Sequence, residues 1–259
     1  MQTEIRDTKI IAPIKSGNIT FLFRGRTFRG SNHNLNKRTE HDFQTQVLAI
    51  YTIQKYVIEP VKESFPNCQI KIIFCTYKHV DNKSLVQLLE KRFDHEVELT
   101  ELENEQTGQI YSYRKALELV TLPNEFVFIL RPDLIFMQEV DFQRADKAKI
   151  LFQWNLFTNW KERRLSDLYQ FVGGDVFETY KDLVLNKKFD YKEPGTLHNI
   201  YNFLIKEGFK TDDISFLNYI KNPNPQDPDC LIKGNQNNGI GNPMFKLAIP
   251  NTKVRRETN

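Results

Sequence analysis

Arg131-Pro132-Asp133 interrupts two apolar runs, Phe126 to Leu130 and Leu134 to Phe136. Such a triplet is either an ion pair that closes a strand-to-loop turn or the working edge of a site. Its place between two apolar segments favours the site. A carboxylate two residues beyond a buried strand can hold a divalent cation, Mn²⁺ or Mg²⁺, against a diphosphate leaving group. Asp133 is therefore the candidate metal ligand. Arg131 offers a planar fork suited to phosphate or carboxylate.

Other residues fit the same chemistry. Arg24-Gly25-Arg26 places a small residue between two guanidinium groups, so backbone can approach a ligand while the side chains meet phosphate. Arg114, on a helix ahead of the Phe126 run, can reach toward a phosphate or lie solvated on the helix face. Two later aspartates can act on a substrate. Asp175 follows Gly173-Gly174 and is either a helix N-cap or a carboxylate facing substrate. Asp167 precedes an apolar run read as a strand, which leaves it no capping role.

The elements that must hold these residues follow from periodicity. Ile19 to Phe23, Ile70 to Phe74, Glu96 to Thr100 and Phe126 to Leu130 read as strands. Helical spacing covers Phe43 to Ser64, with an end or kink expected at Pro60, and continues in Asn82 to Phe93 and Gln106 to Val120. The Phe126 run lacks alternation, as in a strand covered on both faces of a mostly parallel sheet. Strand and helix alternate through the first half, which predicts an α/β fold: a mostly parallel central sheet flanked by helices. In such sheets ligands bind at the carboxyl ends of the strands. Further strands are expected at Ala148 to Trp154 and Leu168 to Val172, with helices at Val176 to Leu185 and Thr196 to Glu207. From Lys221 the chain is rich in Asn, Pro, Gly and Asp and reads as an extended loop, a lid or a disordered tail.

The formal charge is only +3, with acidic and basic residues alternating, so a dedicated nucleic-acid binder is not expected. The start of the chain lacks the apolar segment of a signal peptide, and no run approaches the ~18 apolar residues of a membrane span. Three cysteines, Cys68, Cys75 and Cys230, have no metal-type spacing and read as reduced thiols. These features predict a cytoplasmic enzyme without a membrane span.

The pattern resembles nucleotide-sugar glycosyltransferases of the GT-A type. In that family an arginine-bearing helix precedes a buried strand ending in a DxD motif. Here Ser112-Tyr113-Arg114-Lys115-Ala116-Leu117 stands for the helix and Phe126 to Asp133 for the strand and motif. Position 131 is Arg where the motif has Asp. This Arg-x-Asp form is similar to that of lipopolysaccharide- and capsule-synthesis enzymes and related viral ones, as is Asp167 through Gly173. The resemblance covers roughly residues 18 to 180.

It implies a single GT-A-like domain: residues 18–140 as the nucleotide-sugar half, 141–220 as the acceptor side, and 221–259 as a loop-rich tail. It further implies a hexosyl- or pentosyltransferase of polysaccharide biosynthesis that moves sugar from a nucleotide-diphosphate donor to a glycan hydroxyl. Arg24 and Arg26, with Thr76 and Tyr77 after the second strand, would contact the nucleotide. Arg114, Arg131 and Asp133 would serve the diphosphate. Asp167 or Asp175 would be the base of an inverting reaction.

Two other classes use similar parts. A nucleotidyltransferase also sets a carboxylate-held cation beside a sheet edge, but usually with a Gly-rich phosphate loop. Arg24-Gly25-Arg26 has one glycine. A non-enzymatic carbohydrate-binding module would explain Trp154, Trp160 and Tyr169 as sugar-stacking rings. A Rossmann dehydrogenase is not expected, because no G-x-G-x-x-G follows the first strand.

Overall fold

The strands and helices come from a computed structural model that describes residues 17–28, 40–103, 108–121, 123–136, 139–140, 148–152, 155–159, 162–165, 169–186, 196–216 and 245–247. The first half runs β1 (Gly17–Gly25), α1 (Glu40–Ile53), α2 (Glu59–Ser64), β2 (Cys68–Tyr77), α3 (Asn82–Phe93), β3 (Val97–Leu102), α4 (Gln109–Glu118) and β4 (Phe126–Leu130). Short strands follow: β5 (Leu134–Phe136), β6 (Ile150–Phe152), β7 (Asn155–Asn159) and β8 (Glu162–Leu165). Then come β9 (Tyr169–Gly173), α5 (Gly174–Asn186), α6 (Ile200–Lys206), β10 (Ile214–Phe216) and β11 (Phe245–Leu247).

Seven strands form one sheet in the order β10-β6-β9-β4-β1-β2-β3. β1 pairs in parallel with both β2 and β4, and β2 with β3. β9 alone runs the other way, antiparallel to β4 and to β6. The carboxyl ends of β1, β2 and β4 therefore share one edge, while β9 enters the sheet at that edge and leaves at the opposite one. The remaining strands form two small pairs, β5 with β11 and β7 with β8.

The lack of alternation in β1, β2 and β4 reflects cover on both faces. One face packs Phe21, Phe23, Phe74, Phe126 and Phe128 against α1, α2 and α3. Phe21 stacks on Phe128 at 4.8 Å, and Phe171 of β9 meets Phe128 edge-on at 4.3 Å. Fully burying each ring contributes roughly 1.5–3 kcal/mol relative to exposure. The other face sets Leu22, Ile73, Val127 and Ile129 against α4, α5 and α6.

The expected kink at Pro60 takes the form of a π-helical turn over Gln54–Ile58, in which Glu59 N–H bonds back five residues to the Gln54 carbonyl. Proline has no N–H, and its ring crowds the carbonyl four residues earlier. That carbonyl, on Tyr56, accepts instead from Val140 N at 3.0 Å. Among the described residues no helix is long and apolar enough to cross a membrane.

Candidate active site at the carboxyl edge of the sheet

The turn after β4 is closed by its own charges. Arg131 Nε donates to Asp133 Oδ1 at 2.9 Å and Arg131 Nη2 to Asp133 Oδ2 at 2.6 Å. The side chains are 7% and 1% exposed. This is the bidentate fork that guanidinium and carboxylate geometry favour, removed almost entirely from water.

The loop after β1 lies beside this turn, since Phe23 and Leu130 form the last registered pair of the two strands. Gly25 has φ +107°, a left-handed geometry that a side chain would strain. It separates the two arginines in environment. Arg24 is buried, its guanidinium 5.1 Å from the centre of the Tyr113 ring. Arg26 is half-buried and lies over Tyr77 at 5.3 Å.

Phe28 also has a positive φ, +49°, rare for an aromatic residue and a mark of stored strain. Stacking between Phe43 (5.7 Å) and His79 (4.5 Å) holds it. Its N–H donates to Gln46 Oε1 at 3.2 Å, and Gln46 Nε2 donates to the Pro132 carbonyl at 2.6 Å. Gln46 of α1 thus ties the loop after β1 to the Arg131-Asp133 turn.

β2 runs on through Thr76 and Tyr77, which were expected after the strand, because both still pair with β3, and this strand end joins the same assembly. Thr76 Oγ1 meets Thr27 Oγ1 at 3.5 Å, and Thr27 donates to Asn82 Oδ1 at 3.1 Å. Asn82 Nδ2 in turn donates to the Tyr77 carbonyl and to Glu101 Oε1. The Tyr77 hydroxyl both donates to the Gly108 carbonyl and accepts from Gly108 N, at 3.0 and 3.1 Å, fixing the start of α4.

Under this edge lies a buried polar cluster. The hydroxyls of Tyr113 and Tyr180 and Oε1 of Gln170 on β9 form a buried triangle of contacts; with one proton on each hydroxyl, two of the three are hydrogen bonds at a time. Burial pushes the Tyr180 phenol well above its ordinary pKa; the Tyr113 hydroxyl adds to this and the Arg24 charge offsets it in part. The Tyr169 phenol is likewise raised by burial. Its hydroxyl and Gln170 Nε2 have no hydrogen-bond partner among the described residues.

The expected site residues thus fall in different places. Arg24, Arg26, Thr76, Tyr77, Arg131 and Asp133 gather at the carboxyl edge. Arg114 donates to the Leu185 carbonyl, tying α4 to the last turn of α5. Asp175 is exposed in the first turn of α5. That helix starts beside Glu125, whose carbonyl accepts from Gly174 N at 2.8 Å. Because β9 is antiparallel, this is the opposite edge of the sheet, and Asp175 takes no part in a site at the carboxyl edge. Asp167 lies outside the described residues. Gln46, Asn82, Tyr113 and Gln170 belong to the assembly although the sequence reading did not select them. Only Gln170, polar within the apolar Tyr169 to Val172 run, carried a visible signal.

The Asp133 carboxylate, the expected metal ligand, is already engaged: both of its oxygens accept from one buried guanidinium.

No family model matches the chain, and no curated protein matches it. Solved structures do align. The glycosyltransferase GlyE of Streptococcus pneumoniae aligns with 78% of this chain and 45% of its own, at 13% identity and TM-score 0.42. A mannosyltransferase from Pyrobaculum calidifontis, solved with GDP-Man and Mn²⁺, aligns over 79% and 55%, at 11% identity and TM-score 0.48. The 4-diphosphocytidyl-2C-methyl-D-erythritol synthase of Anaerococcus prevotii aligns over 77% and 86%, at 12% identity and TM-score 0.43. The chain spans less than half of the length of GlyE.

Proposed function

We propose that this chain is a glycosyltransferase that moves a sugar from a nucleotide-diphosphate donor to a hydroxyl of a glycan acceptor. The supporting observation is the convergence of three strand-end loops at one sheet edge, bonded to one another through Gln46, Thr27 and Asn82 around the Arg131-Asp133 fork. Ligands of open α/β sheets bind at this edge.

In this reading residues 18–140 form the donor half and residues 141–220 the acceptor side, with 221–259 as the loop-rich tail. Arg26, half-exposed, meets the phosphates, and Arg24 supports it from beneath. Thr76 and Tyr77 shape the nucleotide loop, and Arg114 holds α4 in place. Asp167 is the base that takes the acceptor proton in an inverting transfer. It precedes β9 by two residues, and β9 begins opposite Leu130, at the carboxyl edge.

The test is a screen of UDP- and GDP-linked sugars for hydrolysis and for transfer to oligosaccharides. Release of nucleoside diphosphate from at least one donor is expected. Release of pyrophosphate from a nucleoside triphosphate and a sugar phosphate, with no donor hydrolysed, would instead establish a nucleotidyltransferase.

A further inference from the structure

We infer that the site binds the diphosphate of its donor without a divalent cation, with the Arg131 guanidinium standing against Asp133 where a metal would otherwise be needed. The inference rests on the glycosyl-transfer reading and deepens it.

A lone carboxylate beside a diphosphate is repulsive, and a divalent cation between them removes the repulsion. Here the carboxylate is already neutralised. Each oxygen of Asp133 accepts from the same guanidinium, at 2.9 and 2.6 Å, and the pair is 93% or more buried on both sides. An incoming cation would have to displace a buried, charge-assisted fork and set its own positive charge beside a guanidinium.

The turn is fixed in this arrangement from outside. Gln46 holds the Pro132 carbonyl between the two charged residues at 2.6 Å, so the backbone that carries Arg131 and Asp133 is anchored to α1. The positive charge that meets phosphate comes from the neighbouring loop. Arg26 is half-buried over the Tyr77 ring, on the strand pair where Gly25 faces Thr76. A guanidinium there can bind two phosphate oxygens at once.

Calorimetric titration of the full chain with UDP-glucose, UDP-galactose and GDP-mannose, each in excess EDTA and in excess Mn²⁺, tests this. The expected result is one donor whose affinity agrees within about threefold between the two media. Arg26→Ala is expected to weaken that donor about tenfold or more in both. Arg131→Ala uncovers Asp133, so its affinity should fall in EDTA and recover in part with Mn²⁺. A wild-type protein that binds its donor in Mn²⁺ but loses about tenfold or more in EDTA overturns the inference and leaves the glycosyl-transfer reading standing. Binding of no nucleotide sugar in either medium overturns that reading, and the inference with it. The wild-type comparison decides the matter even where a variant fails to fold.

Discussion

Gln46 Nε2 donates to the Pro132 carbonyl oxygen at 2.6 Å, joining a helix of the first βα unit to a turn 86 residues later in the chain. The other end of the same amide accepts the N–H of the strained Phe28. Both partners are buried backbone groups, so removing the amide leaves a donor and an acceptor unsatisfied. Gln46→Met, which keeps the length of the side chain, is expected to cost about 1–3 kcal/mol of stability. Urea denaturation measures it, and an unchanged midpoint would show that the two loops do not depend on this residue.

The Arg131-Asp133 fork makes a second prediction with an unusual sign pattern. Asp133→Ala leaves a buried guanidinium without its carboxylate, and Arg131→Ala leaves a buried carboxylate without its guanidinium. Each single variant is expected to lose about 3–5 kcal/mol. The double variant Arg131→Met, Asp133→Leu should lose clearly less than the sum, because no charge is stranded. A double-mutant cycle by chemical denaturation checks this; simple additivity would mean that the pair is not coupled as its geometry requires.

Cys75 lies near the carboxyl end of β2, 1% exposed on the face covered by α4, and burial pushes its thiol up to about 12 from 9.0. At a given pH its thiolate fraction is roughly a thousandfold below that of an exposed thiol. Alkylation of Cys75 is therefore expected only after unfolding, as followed by peptide mass spectrometry at rising urea. The linkage has a definite sign. The unfolded thiol ionises first as pH rises, so this group takes stability away between about pH 9 and 12 and has no effect below that window. Rapid labelling of Cys75 in the native protein at neutral pH would contradict its placement.

The parts of the fold that could be read in advance were those written in composition. β1, β2 and β4 show as apolar runs without alternation because both faces are covered, and α3 spans the same residues that its periodicity marks, Asn82–Phe93. The Arg131-Asp133 turn was visible because charge between two apolar runs has no ordinary place. Strand direction left no such trace. Nothing in the Tyr169 to Val172 run marks its direction, but β9 runs antiparallel, and this alone sends Gly173-Gly174-Asp175 to the far edge. Long-range polar partners were equally silent. Nothing near Gln46 in sequence distinguishes it from a solvated helix glutamine, since its partners lie 18 and 86 residues away.

That reversal of β9 takes Asp175, one of the two aspartates that sequence left as alternatives for the base, away from the carboxyl edge. Asp175 is exposed beside the amino end of β4, where Phe126 pairs with Gly173. Its remaining physical role is that of an acidic group in the first turn of α5, where a negative charge favours the helix by about 0.3–1 kcal/mol. Asp175→Asn should lower stability by no more than that amount and leave turnover within about twofold of wild type. Asp167→Asn should keep donor binding in calorimetry while turnover falls by about 10²–10⁴-fold, the usual contribution of a general base. The pair of measurements distinguishes chemistry from folding, because a structural defect at either position would weaken donor binding and lower the urea midpoint together. Loss of turnover in Asp175→Asn with Asp167→Asn fully active would reverse the assignment, and would require a site on the amino edge of the sheet instead of the one built around Arg131 and Asp133.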